Sequence, residues 1–420
     1  MRERQSIFSN IDGILFILWF VLAVSGIVAI YSASNMSSDW SGLFSVSGKH
    51  GKQIIFMGVS FVAMIVVWAI DYRIIKNLTP VFYIGALFLL LLTLVIGVEI
   101  NGSKSWIRYG GVQLQPAEFA KLATGLMLAY FLSNQDSVFK SLRKTIMSVV
   151  IIGLPMGFIL LQGDFGSMMI FSVLIFVLYR EGLSPLPIYF GLGFIAILFS
   201  SIYFGFSKVT IFILIIAAVI VAISKQRRKI WKPILAISAF AILSALVVNK
   251  SFTTVLKEYQ QDRILVLLGM KQDLRGAGYN IWQSKMAIGS GGFSGKGYLQ
   301  GTQTHGDFVP EVSTDYIFSS IGEEWGFLGS IFVVGLFAFL ILRILHLAEN
   351  QRSTFSRVFM YSAASFFLMH AFINIAMVIG IFPTVGIPLP FFSYGGSSLL
   401  SFSLIIAVVL RLNAERSYML

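Results

Sequence analysis

Few polar residues punctuate this sequence, and the acids and cations among them are where chemistry could reside. Asp315 lies in Pro310-Glu311-Val312-Ser313-Thr314-Asp315-Tyr316-Ile317-Phe318, where a polar segment enters an apolar one. A carboxylate at such a boundary can have a raised pKa and act as a general base. It can equally be an acid that interacts favourably with the start of a helix dipole. Glu118 and Lys121, in Gln115-Pro116-Ala117-Glu118-Phe119-Ala120-Lys121, are three residues apart. That spacing puts them on one helix face, and Pro116 suits the first turn. They read either as a neutralising salt bridge or as a pair that orders a polar cavity. Asp164, in Gln162-Gly163-Asp164-Phe165-Gly166-Ser167, is either a functional carboxylate or a helix cap.

Three other stretches are unusual. Gly102-Ser103-Lys104-Ser105-Trp106-Ile107-Arg108 combines two cations with a tryptophan, which suits phosphate binding or membrane anchoring. The run 289–297 contains five glycines and Lys296. The stretch 383–398 concentrates proline and glycine around Ser393 between two apolar segments. Non-helical backbone at membrane depth survives only where protein or water covers it, so this stretch reads as a cavity-lining bend or a tight hairpin.

The elements that must position these residues are membrane helices. Of 420 residues, 57% are hydrophobic and 12% charged, against about 25% charged in a soluble domain. With no cysteine, thiolate metal sites, disulfides and cysteine nucleophiles are excluded, and four scattered histidines argue against a histidine-built metal site. The net charge of +12 suits cationic loops on anionic lipid better than nucleic acid. No P-loop, haem-ligand pattern or nucleophile elbow is present.

Apolar segments long enough to span fall near 11–32, 52–70, 79–98, 117–133, 145–162, 165–180, 186–205, 208–224, 231–249, 315–342, 358–382 and 393–411. The expectation is therefore an all-α polytopic membrane protein of about twelve transmembrane helices, forming one domain over 1–420. The first segment reads as a retained helix rather than a cleaved signal. With Arg2 and Arg4 in the cytoplasm, Arg73, Lys76, Lys140, Arg143, Lys144, Arg180, Lys225, Arg343, Arg352 and Arg411 fall on the same side. The positive-inside rule then places both termini in the cytoplasm. A large extracytoplasmic loop is expected at 250–314, opening with an amphipathic stretch at 255–270.

These motifs, taken in order, resemble the SEDS family (shape, elongation, division and sporulation), and its elongation branch more than its division branch. The resemblance rests on Trp106, residues 115–121, 162–167, 289–303, 310–324 and 386–398. It implies a peptidoglycan glycosyltransferase of the bacterial inner membrane that polymerises lipid II on the outer face during cell elongation. It also implies a class B penicillin-binding protein (the transpeptidase) as partner, with other elongation-complex membrane proteins. Asp315 would be the essential acid, with Glu118 and Lys121 as a functional pair. Trp106, Lys104, Arg108, Asp164, Lys296 and Ser393 would serve the substrate. A divalent cation (Mg or Mn) could help hold pyrophosphate, and no organic cofactor is expected. Ser105 replaces an arginine frequent in the family, and Ser313 and Tyr316 replace its histidine and phenylalanine. Family members usually have ten spans, so an extra pair is expected within 186–249. The rival readings are a lipid II flippase, which broken helices would serve equally, and a recruiting scaffold.

Overall fold

The computed structural model describes residues 11–34, 48–100, 102–110, 112–134, 141–224, 227–254, 256, 258–271, 278–305 and 308–416. Arg2, Arg4, Lys140 and Lys225 of the charge reading lie outside these. The described residues are mostly helical. It begins with α1 (Gly13–Ser34), α2 (Lys49–Ala69) and α3 (Tyr72–Ile96), then the strands β1 (Val98–Ile100), β2 (Ser103–Tyr109) and β3 (Val112–Leu114). Next come α4 (Pro116–Ser133), α5 (Leu142–Leu161), α6 (Phe165–Ser172), α7 (Leu174–Arg180), α8 (Leu186–Phe204), α9 (Phe206–Ile223), α10 (Arg227–Thr254) and α11 (Glu258–Leu267). The last third contains α12 (Tyr279–Gly291), α13 (Thr302–His305), α14 (Ile317–Glu324), α15 (Gly326–Glu349), α16 (Thr354–Val378) and α17 (Gly396–Arg416).

Ten of these helices are long and apolar enough to cross a membrane: α1, α2, α3, α5, α8, α9, α10, α15, α16 and α17. The protein is thus a multi-pass membrane protein. The expected count of about twelve included two further segments. One is α4, whose Glu118 and Lys121 lower its apolar character. The other became the short pair α6 and α7, which meet at Val173. The three short strands form an antiparallel sheet, β1-β2-β3, with Arg108 opposite Gln113.

By internal contacts the described residues form two compact units, 1–183 with 280–420, and 184–279. The second contains α8 to α11, with α10 packed on both α8 and α9. It covers the region where an extra helix pair was expected. In the first unit α16 and α17 lie deepest, with 72% and 78% of their spanning windows buried. Phe359, Phe366, Phe367, Phe391 and Phe402 fill the space between them and their neighbours.

One expected span divides differently. The apolar run 315–342 is two helices, because Trp325 ends α14 and Gly326 (φ +61°) turns the chain before α15. All eight residues of α14 are buried. The glycine-rich run spans the break. Lys296 and Gly297 donate their N–H groups to the carbonyls of Glu323 and Glu324, each at 3.0 Å. In return Phe327 and Leu328 donate to the carbonyls of Gly292 and Phe293, at 3.0 and 3.2 Å. Two carbonyls at the end of α14 and two amides at the start of α15 are thereby satisfied. A Cβ on Gly291 or Gly295 would overlap the carbonyl oxygens of Gly322 or Glu324. These glycines serve close backbone packing, and the described residues of 250–314 include the short helices α11, α12 and α13.

Gly295→Ala must both displace the Glu324 carbonyl and adopt a positive φ (+83° in the glycine). It should lower stability by about 2 kcal/mol or more, measurable as an earlier thermal unfolding transition in detergent.

Candidate active site

Asp315 sits in the turn 311–316 that leads into α14, half-buried and next to buried Ser313 and Tyr316. Its backbone is held from two sides. Asn374 on α16 donates its side-chain N–H to the Asp315 carbonyl at 2.8 Å and to the Ile387 carbonyl at 2.7 Å. The proline-rich stretch 383–395 supplies the second hold. Ser393 donates its hydroxyl to the Thr314 carbonyl at 2.5 Å, and the Tyr394 N–H donates to the Ser313 carbonyl at 2.9 Å. The Leu389 N–H in turn donates to Ser393 Oγ at 2.8 Å, closing a tight hairpin. Gly386 (φ +69°) faces the carboxylate, since a Cβ there would lie 3.2 Å from Asp315 Oδ2. Ser393, expected to contact substrate, is buried and takes part in this backbone clamp.

Glu118 and Lys121 are brought together as the spacing predicts, with Nζ and Oε2 3.0 Å apart. Each is only 2% exposed, so a substrate would have to displace protein to reach them. Lys121 also lies 2.6 Å from Nε2 of His370 on α16 and 4.5 Å above the Phe402 ring. His370 Nδ1 is 3.2 Å from the Pro388 carbonyl of the hairpin. Ser401 on α17 donates to the Glu118 carbonyl at 2.6 Å. Asp164 caps α6: its carboxylate accepts from the Ser167 N–H and hydroxyl, both at 2.9 Å, and from Gln115 Nε2 at 3.0 Å. The α6 start abuts the hairpin, because a Cβ on Gly166 would contact the Val385 carbonyl.

The expected cations are distributed otherwise. Lys104 donates to the carbonyls of Leu94 and Val95 at the end of α3, at 2.9 and 3.0 Å. Cations at a helix C-terminus are favoured there by the unpaired carbonyls. Trp106 is half-buried opposite Val98 on the sheet, and Arg108 is exposed. The Lys296 side chain lies 2.6 Å from Glu323 Oε1 and 2.7 Å from the Thr302 hydroxyl. Lys49 donates to Ser313 Oγ at 2.8 Å. With Ser34, His50, Pro310 and Glu311 it lines a cavity of about 590 Å³ that reaches to Ser313.

Glu323 is the most heavily bonded carboxylate of the site region. The N–H groups of Thr302, Gln303 and Thr304 at the start of α13 all point at it, at 2.8, 2.9 and 2.9 Å. Burial alone would raise its pKa. The amides of Gln303 and Thr304, the Lys296 ammonium and the Thr304 hydroxyl outweigh that and hold it at about 2. Among the described residues, no three His, Cys, Asp or Glu side chains converge as a metal site.

Sequence reading missed His370, Asn374 and Lys49. His370 and Asn374 are four apart in the second half of α16, and that polar i, i+4 pair was the available signal.

A bundle of apolar helices surrounding a clamped carboxylate and a buried ion pair defines a polytopic membrane protein with a polar site at non-helical backbone. The FtsW/RodA/SpoVE family, described as cell cycle proteins, matches residues 12–210 and 194–418, and the chain belongs to that family. It is 32% identical over 437 residues to the peptidoglycan glycosyltransferase RodA of Treponema pallidum, covering 97% of this chain and 98% of the relative. It is 31% identical over 408 residues to the peptidoglycan glycosyltransferase MrdB of Escherichia coli, covering 97% and 94%. The chain is RodA-like, as the glycine-rich run led one to expect. Its fold matches a chain from a peptidoglycan synthase complex that coordinates polymerization and crosslinking, with a TM-score of 0.69, 24% identity and coverage of 97% and 99%.

The Glu323 carboxylate has a pKa depressed from 4.5 to about 2, so its charged form stabilises the fold fully above pH 4.5. That contribution fades as pH falls towards 2. Glu323→Gln should therefore cost about 2–3 kcal/mol at neutral pH. The gap from wild type should narrow in acid, as read by unfolding in detergent at a series of pH values.

Proposed function

We propose that this chain is a peptidoglycan glycosyltransferase that polymerises lipid II into glycan strands during cell elongation, with Asp315 as general base. The observation that carries this reading is the Asp315 turn, held by Asn374, Ser393 and Tyr394 beside a polar cavity. Enzymes need the reacting group fixed before substrate arrives, and this clamp supplies that fixity. Support for the activity comes from the RodA and MrdB relatives, which align over nearly the whole chain.

In this reading two lipid-linked sugars meet at the outward end of the bundle. The acceptor's 4-hydroxyl gives its proton to the Asp315 carboxylate as its oxygen bonds to the donor's anomeric carbon. The bond from that carbon to the pyrophosphate breaks, and polyprenyl pyrophosphate leaves with the electron pair. A single displacement inverts α to β, so one base suffices. The leaving group needs charge neutralisation more than protonation. Since Lys104, Lys121 and Lys296 are committed elsewhere, Lys49 on the cavity wall and exposed Arg108 are the cations for that role. A Mg or Mn ion belongs to this reading only as a companion of the substrate's pyrophosphate, and no step is routed through it. The partner is a class B penicillin-binding protein, in keeping with the complex in which the structural neighbour occurs. Both termini are cytoplasmic in this arrangement.

Polymerisation of purified lipid II in detergent, with and without the cognate partner, tests the assignment. Asp315→Asn should fold normally and lose at least about 100-fold in rate. Wild-type rates from that variant would remove Asp315 as base. Lipid II translocation by wild-type protein in proteoliposomes, without polymer under any condition, would favour the flippase.

A further inference from the structure

The Glu118–Lys121 pair is too deeply buried to touch substrate, yet it is not isolated from the site. Lys121 is an ammonium with donors only, so the His370 Nε2 at 2.6 Å must accept from it. That fixes the neutral tautomer with hydrogen on Nδ1, and Nδ1 donates to the Pro388 carbonyl at 3.2 Å. A buried neutral imidazole carries one donor and one acceptor, and each needs a partner. His370 has both ring nitrogens engaged, on two different elements, and its ring packs edge-on against Phe402 at 4.8 Å. One turn further along α16, Asn374 holds the carbonyls of Ile387 and Asp315. The hairpin is thus tied to α16 at Pro388 and Ile387, and to the Asp315 turn through Ser393 and Tyr394.

We propose that His370 is a positioning residue through which the buried Glu118–Lys121 pair fixes the Pro388 turn and, by way of the hairpin, the carboxylate of Asp315. The pair and His370 then act on the reaction without touching substrate. This inference rests on the glycosyltransferase reading for its kinetic consequences, but the linkage itself is a property of the fold.

Glutamine separates the two predictions of a structural and a positioning role. Its side-chain oxygen can accept from Lys121 while its nitrogen donates to Pro388, whereas leucine fills the space and does neither. The test measures lipid II polymerisation by the full chain with its class B partner, together with thermal unfolding, for wild type, His370→Leu, His370→Gln, Lys121→Met and the double variant His370→Leu/Lys121→Met. The expected result is a fall in kcat of about tenfold or more for His370→Leu, with KM changed by no more than about twofold. His370→Gln should recover most of the rate. Lys121→Met should lose a similar factor, and the double variant should lose no more than the worse single one, because both break one linkage.

Normal turnover in folded His370→Leu, no recovery in His370→Gln, or multiplying losses in the double variant would each overturn the proposal. Should His370→Leu fail to accumulate, amide hydrogen exchange in Lys121→Met and His370→Gln decides the matter. Faster exchange over 383–395 in Lys121→Met alone supports the linkage, and unchanged exchange there overturns it. If wild type makes no polymer, the transferase reading fails, while the exchange measurement still reports on the linkage.

Discussion

Two stretches of non-helical backbone meet where the hydroxyl of Ser393 and the amide of Tyr394 reach the carbonyls of Thr314 and Ser313. In a bilayer an unpaired peptide group has no water to turn to and costs several kcal/mol. The turn that presents Asp315 and the hairpin at 383–395 therefore depend on each other. Neither α14, fully buried just downstream, nor α17, which starts directly after the hairpin, could keep its present place if this junction opened. The phenylalanine core between α16 and α17 packs from below against the same hairpin, through Phe391 stacked on Phe367 at 5.6 Å.

Charges in the interior follow the same rule as the backbone. Buried carboxylates and ammonium groups are tolerable only when paired and hydrogen-bonded. Glu118 has Lys121, and Glu323 has Lys296 and three amides of α13. Glu324 accepts from Ser32 on α1, which ties the end of α14 to the first helix. Arg343 and Asp12 do the same for α15 and the start of α1. Apart from Glu118 and Lys121, which share α4, the partners lie on different elements, so these contacts fix which elements are neighbours as well as accommodating charge.

Much of this was legible in residue types and spacing. Glu118 and Lys121 declared themselves as a helical i, i+3 pair, Asp164 as one reading of a cap, and Asp315 as an acid at the entry to an apolar run. The span at 315–342 was drawn straight through Glu323-Glu324-Trp325-Gly326, a polar interruption that marks the break, while the run 289–297 that braces it is distant in sequence. Lys104, Lys296 and Ser393, expected at substrate, are seen bonded within the protein. Cations and hydroxyls beside an interface are equally suited to helix ends, buried acids and backbone carbonyls, and only tertiary structure decides among these. His370 was missed because its i, i+4 spacing to Asn374 was not used, and nothing in that spacing tells what lies one helix away.

The splice at Gly326 also bears on how the protein fits its membrane. Were α14 and α15 to fuse, the helix from Ile317 to Glu349 would measure about 50 Å, far beyond a hydrocarbon layer of about 30 Å. Such a rod could only tilt steeply or push its polar first turns into lipid. Broken at Gly326, α15 keeps 24 residues, about 36 Å, which matches the bilayer with a modest tilt. The glycine run thereby acts as a length gauge, keeping α15 to the span of one bilayer.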